Sequence, residues 1–314
     1  MDWRLKARVL AWLARLPRPV GDALYLFAQR RFGKLQATSP LQRLGAGLQI
    51  WRRLAAWGGT PRGATFLELG TGRRLNVPIA LWLLGAGRII TVDLNRYLSE
   101  ALVREDLAFI RENARAIIDG AAPDRVDPGR LQALVELSKG RWRLTHVLDL
   151  CGIEYRPRSD AAALSLSDRT IDYHVSYTVL EHIEPSVLQA ILEEGLRVVR
   201  PGGLFLHRVD FTDHFAHGNP DLTMLNFLAL ADRDWRRTAG NRFSYLNRLR
   251  LDDMLDVYAA AGHRVVHVDA QRSPQVQALL QRGDLQLAAP FASKSMDVLS
   301  TLGAWIVSSQ AGQV

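Results

Sequence analysis

One stretch, Thr65–Asn95, constrains this chain more than any other. A short apolar run ends at Glu68, and Gly70 and Gly72 then mark a tight turn. An apolar segment of helix length follows, broken at Gly85–Gly87, and a second apolar run, Ile89–Val92, ends in Asp93. Strand, glycine turn, helix, strand and acid is the order of a nucleotide-binding crossover. A right-handed crossover puts the turn and the acid at the same sheet edge, so Asp93 faces whatever the turn holds.

The remaining chain predicts a doubly wound α/β fold: a mostly parallel, seven-stranded sheet with helices on both faces and an antiparallel last strand. Beyond Asp93 the expected order is a long helix over Leu98–Asp119, a loop over Ala121–Gly129 and a helix over Leu131–Lys139. Strands are expected near Gly152–Arg156 and over Thr170–Tyr177. A helix over Glu184–Arg200 should be stopped by Pro201-Gly202-Gly203, with a strand over Leu204–Phe211. A helix over Asp252–Ala261 and strands at His263–Asp269 and Gly303–Ser308 complete the set. This divides the chain into a helical N-terminal extension, 1–60, acting as a cap or lid, and a Rossmann-like domain, 61–314, with a helical insertion at about 98–145.

Charge is unevenly distributed. Met1–Ala56 holds eleven Lys and Arg against two acids, Asp2 and Asp22, a net +9 beside +8 for the whole chain. That extension could be a lid or a surface for a membrane, an acidic partner or RNA; the plainer reading is an amphipathic cap with solvated charges. Its first helix is too charged and short to span a bilayer. The single Cys151 excludes an internal disulfide or a cysteine-based zinc finger, and is compatible with a reducing, cytoplasmic setting.

Further along, Asp160-Ala161-Ala162-Ala163-Leu164, Tyr177-Thr178-Val179-Leu180-Glu181-His182-Ile183 and Val198-Val199-Arg200-Pro201-Gly202-Gly203 occur in order. With Glu68-Leu69-Gly70-Thr71-Gly72 and Asp93, they resemble the class I S-adenosylmethionine-dependent methyltransferases, although a frequent third glycine of that family is Arg74 here. The resemblance implies S-adenosylmethionine as cofactor, with Gly70 and Gly72 at its methionine end and Asp93 on the ribose hydroxyls. It implies Asp160 and the Ala161 N–H at adenine and Glu68 behind the turn, and it adds Thr71, Leu94 and Tyr177 as contacts.

The methyl acceptor should lie at the ends of the fourth and fifth strands. Three histidines and two aspartates crowd His207–His217. A hydroxyl acceptor needs a base, for which His207, Asp210, His214 and His182 are the candidates. Asp213, His217, Asn247 and Arg250 are candidate substrate contacts. No metal is expected; the alternative set for one is Asp210, Asp213, His214 and His217. These residues point to O-methylation of a small molecule or of a glycan or lipid precursor. The competing readings are an RNA methyltransferase with a basic handle and a non-catalytic cofactor-binding protein. Modest aromatic content in the basic segment argues against nucleic acid.

Overall fold

The computed structural model describes residues 2–32, 40–121, 124 and 126–312. Its sheet comprises β1 (Thr65–Leu69), β2 (Arg88–Asp93), β3 (Ile153–Pro157), β4 (Ile171–Tyr177), β5 (Val199–Asp210), β6 (His263–Arg272) and β7 (Thr301–Gln310), in the order β3-β2-β1-β4-β5-β7-β6. β7 runs antiparallel to both its neighbours, and the other described pairings are parallel. The order reverses between β1 and β4, so a crevice opens at their carboxyl ends, where open α/β sheets place ligands.

Pleating divides the core into two layers. On one face, Phe66, Ile89, Val175 and Trp305 pack with Ile50 and Leu54 of the Pro40–Ala56 helix, the Asn76–Leu83 helix and the helices between β2 and β3. On the other, Leu67, Ile90, Phe205 and Ile306 meet Leu188 and Leu192 of the Pro185–Val198 helix and Met254 and Tyr258 of the Leu251–Ala260 helix. A third cluster joins Trp3 and Ala7 to Phe215, Trp235 and Phe291. The Pro40–Ala56 helix is therefore part of the main core, and the Trp3–Arg15 helix rests on the segment after β5.

Several boundaries differ from expectation. The helix expected over Leu98–Asp119 is two, Glu100–Glu112 and Ala114–Ala121. Asn113 separates them; its amide donates to the Phe109 carbonyl, competing with the next helical turn. The loop expected up to Gly129 already gives way to helix at Pro128, capped by Asp127, and part of that loop lies outside the described residues. The segment 98–145 supplies Val103, Leu107, Leu134 and Trp142 to the core, so it is the β2–β3 crossover itself. Pro201-Gly202-Gly203 does not end before β5 but lies within it, where register slips from Ile171↔Val199 to Tyr173↔Leu204 and Gly202 takes φ 79°.

Candidate active site

The cleft at the β1/β4 switch point has a volume of about 880 Å³. Its floor begins with the turn after β1. Gly70 and Gly72 have φ 79° and 64°, a region open to glycine with little cost. A Cβ on Gly70 would lie 2.6 Å from Val179 Cγ2, so β4's exit leaves no room there. A Cβ on Gly72 would meet nothing nearer than 4.0 Å and would project into the cleft itself. The turn thus offers bare backbone to a ligand that must approach closely.

Asp93 closes this turn from β2. One carboxylate oxygen accepts from Gly72 N (3.0 Å), the other from Asn95 N (2.9 Å). Burial raises its pKa, while the two backbone N–H groups and Arg73 oppose that. Each oxygen retains a lone pair for ligand hydroxyls. Arg74 points away from the cleft, pairing with buried Asp106 (2.5 Å) and with Glu105 (2.9 Å), so its bulk does not obstruct the turn. Behind the turn, Thr71 Oγ1 contacts Thr91 Oγ1 (2.6 Å), which donates to Glu68 (2.5 Å). Burial pushes the Glu68 carboxyl up to about 8. Glu68 and Thr71 are therefore beneath the cleft, whereas Gly70, Gly72, Asp93, Leu94, Asp160, Ala161 and Tyr177 line it. Asp160 accepts from Ala162 N (2.9 Å), fixing the loop that presents Ala161.

At the other end, the Leu180–His182 turn leaves β4. Asn247 clamps it, its amide donating to the Leu180 and Ile183 carbonyls (2.9 Å each). His182 lines the cleft, and its Nδ1 donates to the Tyr245 carbonyl (2.9 Å), which leaves Nε2 as the basic nitrogen. Burial, then His214, lowers the His182 pKa. The His214 ring stands 5.1 Å from that of His182, and His214 Nε2 lies 3.5 Å from Asp210. Burial alone would raise Asp210, but His214 and Thr212 hold it down at about 2. Thr212 Oγ1 bridges Asp210 (2.6 Å) and His217 (2.7 Å). A line of groups therefore runs from Asp210 through His214 to His182 at the cleft wall.

The candidate set divides sharply. His207 is fully buried within the sheet, against Ser176 (2.7 Å) and His174 (3.2 Å), so it cannot meet a substrate. Strand parity is the reason: Phe205, His207 and Val209 share the face under the Pro185–Val198 helix, and Asp210 has the opposite parity. Buried Asp213 is occupied by Phe215 N (2.8 Å) and Asn226 (3.1 Å). Arg250 is wholly buried, donating to the Phe211 (2.6 Å), Leu299 (3.1 Å) and Thr301 (2.5 Å) carbonyls. Asp213, Asn247 and Arg250 thus shape the loops and do not line the cleft. Among the described residues, Glu181, His182 and His214, and again Asp210, His214 and His217, bring donor atoms within 4.8 Å of one another and could hold a cation; Asp213 is in neither group.

A further wall, in which the expected cap or lid meets the loop before Leu251, closes the cleft. Arg18, Asp22, Tyr25 and Gln29 descend from the Arg18–Phe32 helix, and Asn241, Arg242, Phe243 and Tyr245 come from the loop before Leu251. Arg242 locks the two together, donating to the Ala14 carbonyl (2.8 Å) and pairing with Asp22 (3.4 Å). Tyr25 stacks on Phe243 at 4.3 Å. The i, i+4, i+7, i+11 spacing of the four helix residues was the available signal.

The residues before β3 through β5 match a known domain: 139–207 fit the family model of a methyltransferase domain. That segment of the chain is similar to a methyltransferase domain. The matched segment holds Asp160, the Glu181-His182 turn and Pro201-Gly202-Gly203, while the glycine turn lies outside it. No curated protein matches the chain in sequence. Solved structures resemble its fold. One is a methyltransferase of Methanosarcina mazei (15% identity, 79% of this chain and 93% of that one, TM-score 0.45). Another comes from Mesorhizobium loti (15%, 82% and 96%, 0.43). A third is phosphoethanolamine N-methyltransferase 2 of Haemonchus contortus (14%, 85% and 52%, 0.45). These likenesses are of fold alone.

Proposed function

We propose that this chain is an S-adenosylmethionine-dependent methyltransferase acting on a hydroxyl of a small molecule or of a glycan or lipid precursor, with His182 as base and Asp210–His214 behind it. The carrying observation is the juxtaposition within one cleft of the Gly70–Gly72 turn with Asp93 and the oriented His182 ring. A volume of about 880 Å³ is at the upper end for a small-molecule pocket, which suits two ligands side by side. The turn, Asp93, Leu94 and the Asp160–Ala161 loop would hold S-adenosylmethionine, which supplies an activated methyl group when bound. The bare backbone at Gly72 and the free lone pairs of Asp93 fit it.

Much of the rate then comes from holding the acceptor in line. The Tyr25–Phe243 wall excludes water above the acceptor, and Asn247 holds the turn that carries His182. His182 Nε2 receives the hydroxyl proton at the cleft wall, with His214 behind it and the Asp210 carboxylate 3.5 Å from His214. The 1–60 segment contributes to the site through its second helix, which supports the lid reading for that helix. Arg30, Arg52 and Arg53 pair with Glu105, Asp124 and Asp269, so part of the basic charge is engaged within the fold, which weighs against an RNA handle. The deciding experiment supplies labelled S-adenosylmethionine and a cell extract and identifies the labelled product. A labelled small molecule or lipid with an O-methyl group is expected; label recovered solely in RNA or at nitrogen would sink the reading. Turnover should also survive chelation, which a cation at His182 and His214 would not allow.

A further inference from the structure

Among the described residues, nothing packs on the outward faces of the first two helices. In Trp3–Arg15, Trp3, Ala7 and Leu10 pack on the Phe215 cluster. At about 100° per residue, Leu5, Val9 and Trp12 fall on a separate arc of about 60°. All three are exposed, Trp12 to 57%. Arg4, Arg8 and Arg15, also exposed, occupy the neighbouring arc. An apolar stripe bordered by a basic one is therefore turned to solvent.

The Arg18–Phe32 helix repeats the pattern with a second face in use. Arg18, Asp22, Tyr25 and Gln29 roof the cleft. Val20, Leu24 and Phe27 lie on the opposite side of the cylinder and are exposed, Phe27 to 63%. Arg31 continues that outer stripe one turn further on. From Trp3 to Phe32 there are seven basic residues and a single acid, Asp22, which is on the cleft side.

We propose that this helical pair docks on the surface of an anionic lipid bilayer. Aromatic and aliphatic residues on one arc with arginines beside them make an interfacial helix, which buries its apolar arc at the headgroup boundary while its cations meet lipid phosphates. Among the described residues no helix is long and apolar enough to cross a membrane, so the pair lies on the surface. Charge decides between occupants: a second copy meeting this face symmetrically would bring its own basic stripe against the first. Docking sets the cleft roof directly over the bilayer, so an acceptor drawn from the membrane would enter beside Tyr25 and Arg242. The surface itself does not depend on the acceptor assigned above.

Flotation of the full chain with vesicles tests this, using phosphatidylcholine alone against phosphatidylcholine mixed with phosphatidylglycerol. Partitioning should be about tenfold or more stronger on the anionic vesicles and should fall with added salt. The double variant Trp12→Glu, Phe27→Glu should lose it while keeping S-adenosylmethionine affinity and thermal midpoint, since both side chains are exposed. Absence of anionic partitioning in the parent chain overturns the proposal, as does equal partitioning by the double variant. So does a concentration-dependent dimer, without vesicle binding, that the double variant abolishes, because the face would then belong to a second copy. A parent chain that floats yet methylates no hydroxyl leaves docking standing and removes only the acceptor assignment.

Discussion

At the scale of single residues, Asp93 and the histidine line make separable demands. Asp93 fixes the glycine turn through Gly72 and, under the function proposed above, offers its remaining lone pairs to the ribose hydroxyls of the cofactor. Asp93→Ala should therefore weaken S-adenosylmethionine binding about 10- to 100-fold by calorimetry, the worth of one or two hydrogen bonds to a charged group. Unchanged affinity would remove the ribose assignment. His214→Gln and Asp210→Asn act elsewhere: they should lower kcat about 10²-fold or more with cofactor affinity unaltered. His207→Gln separates the strand from the site. Sealed between Ser176 and His174, it should lose stability in urea but keep its turnover per folded molecule. Composition drew all the histidines of His207–His217 into one candidate set. Only strand parity distinguishes His207 from the rest, and parity was readable in Phe205, His207 and Val209. The hydrogen bonds that commit Asp213 and Arg250 to carbonyls and loops leave no such periodic trace.

At the scale of elements, the parts that were readable are those with local causes. β1, the Gly70 turn and β2 follow from an apolar run, positive φ at glycine and a second apolar run, and the structure has them where expected. The roof's helix face shows in its own spacing, but its pairing with the loop depends on contacts more than two hundred residues apart, such as Arg242 to Ala14 and Tyr25 to Phe243, for which no short window carries a signal. This roof yields a prediction. Arg242→Ala removes the Asp22 pair and two helix-end contacts, so the helix should detach from the Asn241–Tyr245 loop more often. Acceptor KM should rise several-fold with little change in the thermal midpoint, since the paired groups are largely at the surface. A fall in midpoint as large as that of a core deletion would show that the helix braces the fold and does not merely cover the cleft.

At the scale of the whole molecule, buried titratable groups on both sides of neutrality shape stability. Burial holds His174 down at about 3 and lowers His207 and His263, so these rings stay neutral in the fold. The unfolded chain protonates them near pH 6.5, so below that it binds more protons and stability falls as pH falls. Glu68, pushed to about 8, and Glu181, raised by burial, behave oppositely. The fold keeps them protonated where the unfolded chain has lost those protons, so stability also falls as pH rises from about 4.5 towards 8. Below pH 6.5 these histidines, joined by His182, outweigh Glu68 and Glu181 and the net slope follows the histidines; above it only the acids act. Stability should therefore peak near pH 6.5, with each group contributing at most about 1.4 kcal/mol per pH unit to its limb. Urea titrations across pH 4.5–8.5 would trace this dome. Glu68→Gln retains the shape of the side chain and removes the titration, so it should flatten the alkaline limb by about one group's slope and leave the acid limb falling. An unchanged alkaline slope would mean that Glu68 is ionised in the fold, and the Thr71–Thr91–Glu68 line beneath the glycine turn would then carry a charge towards the cofactor.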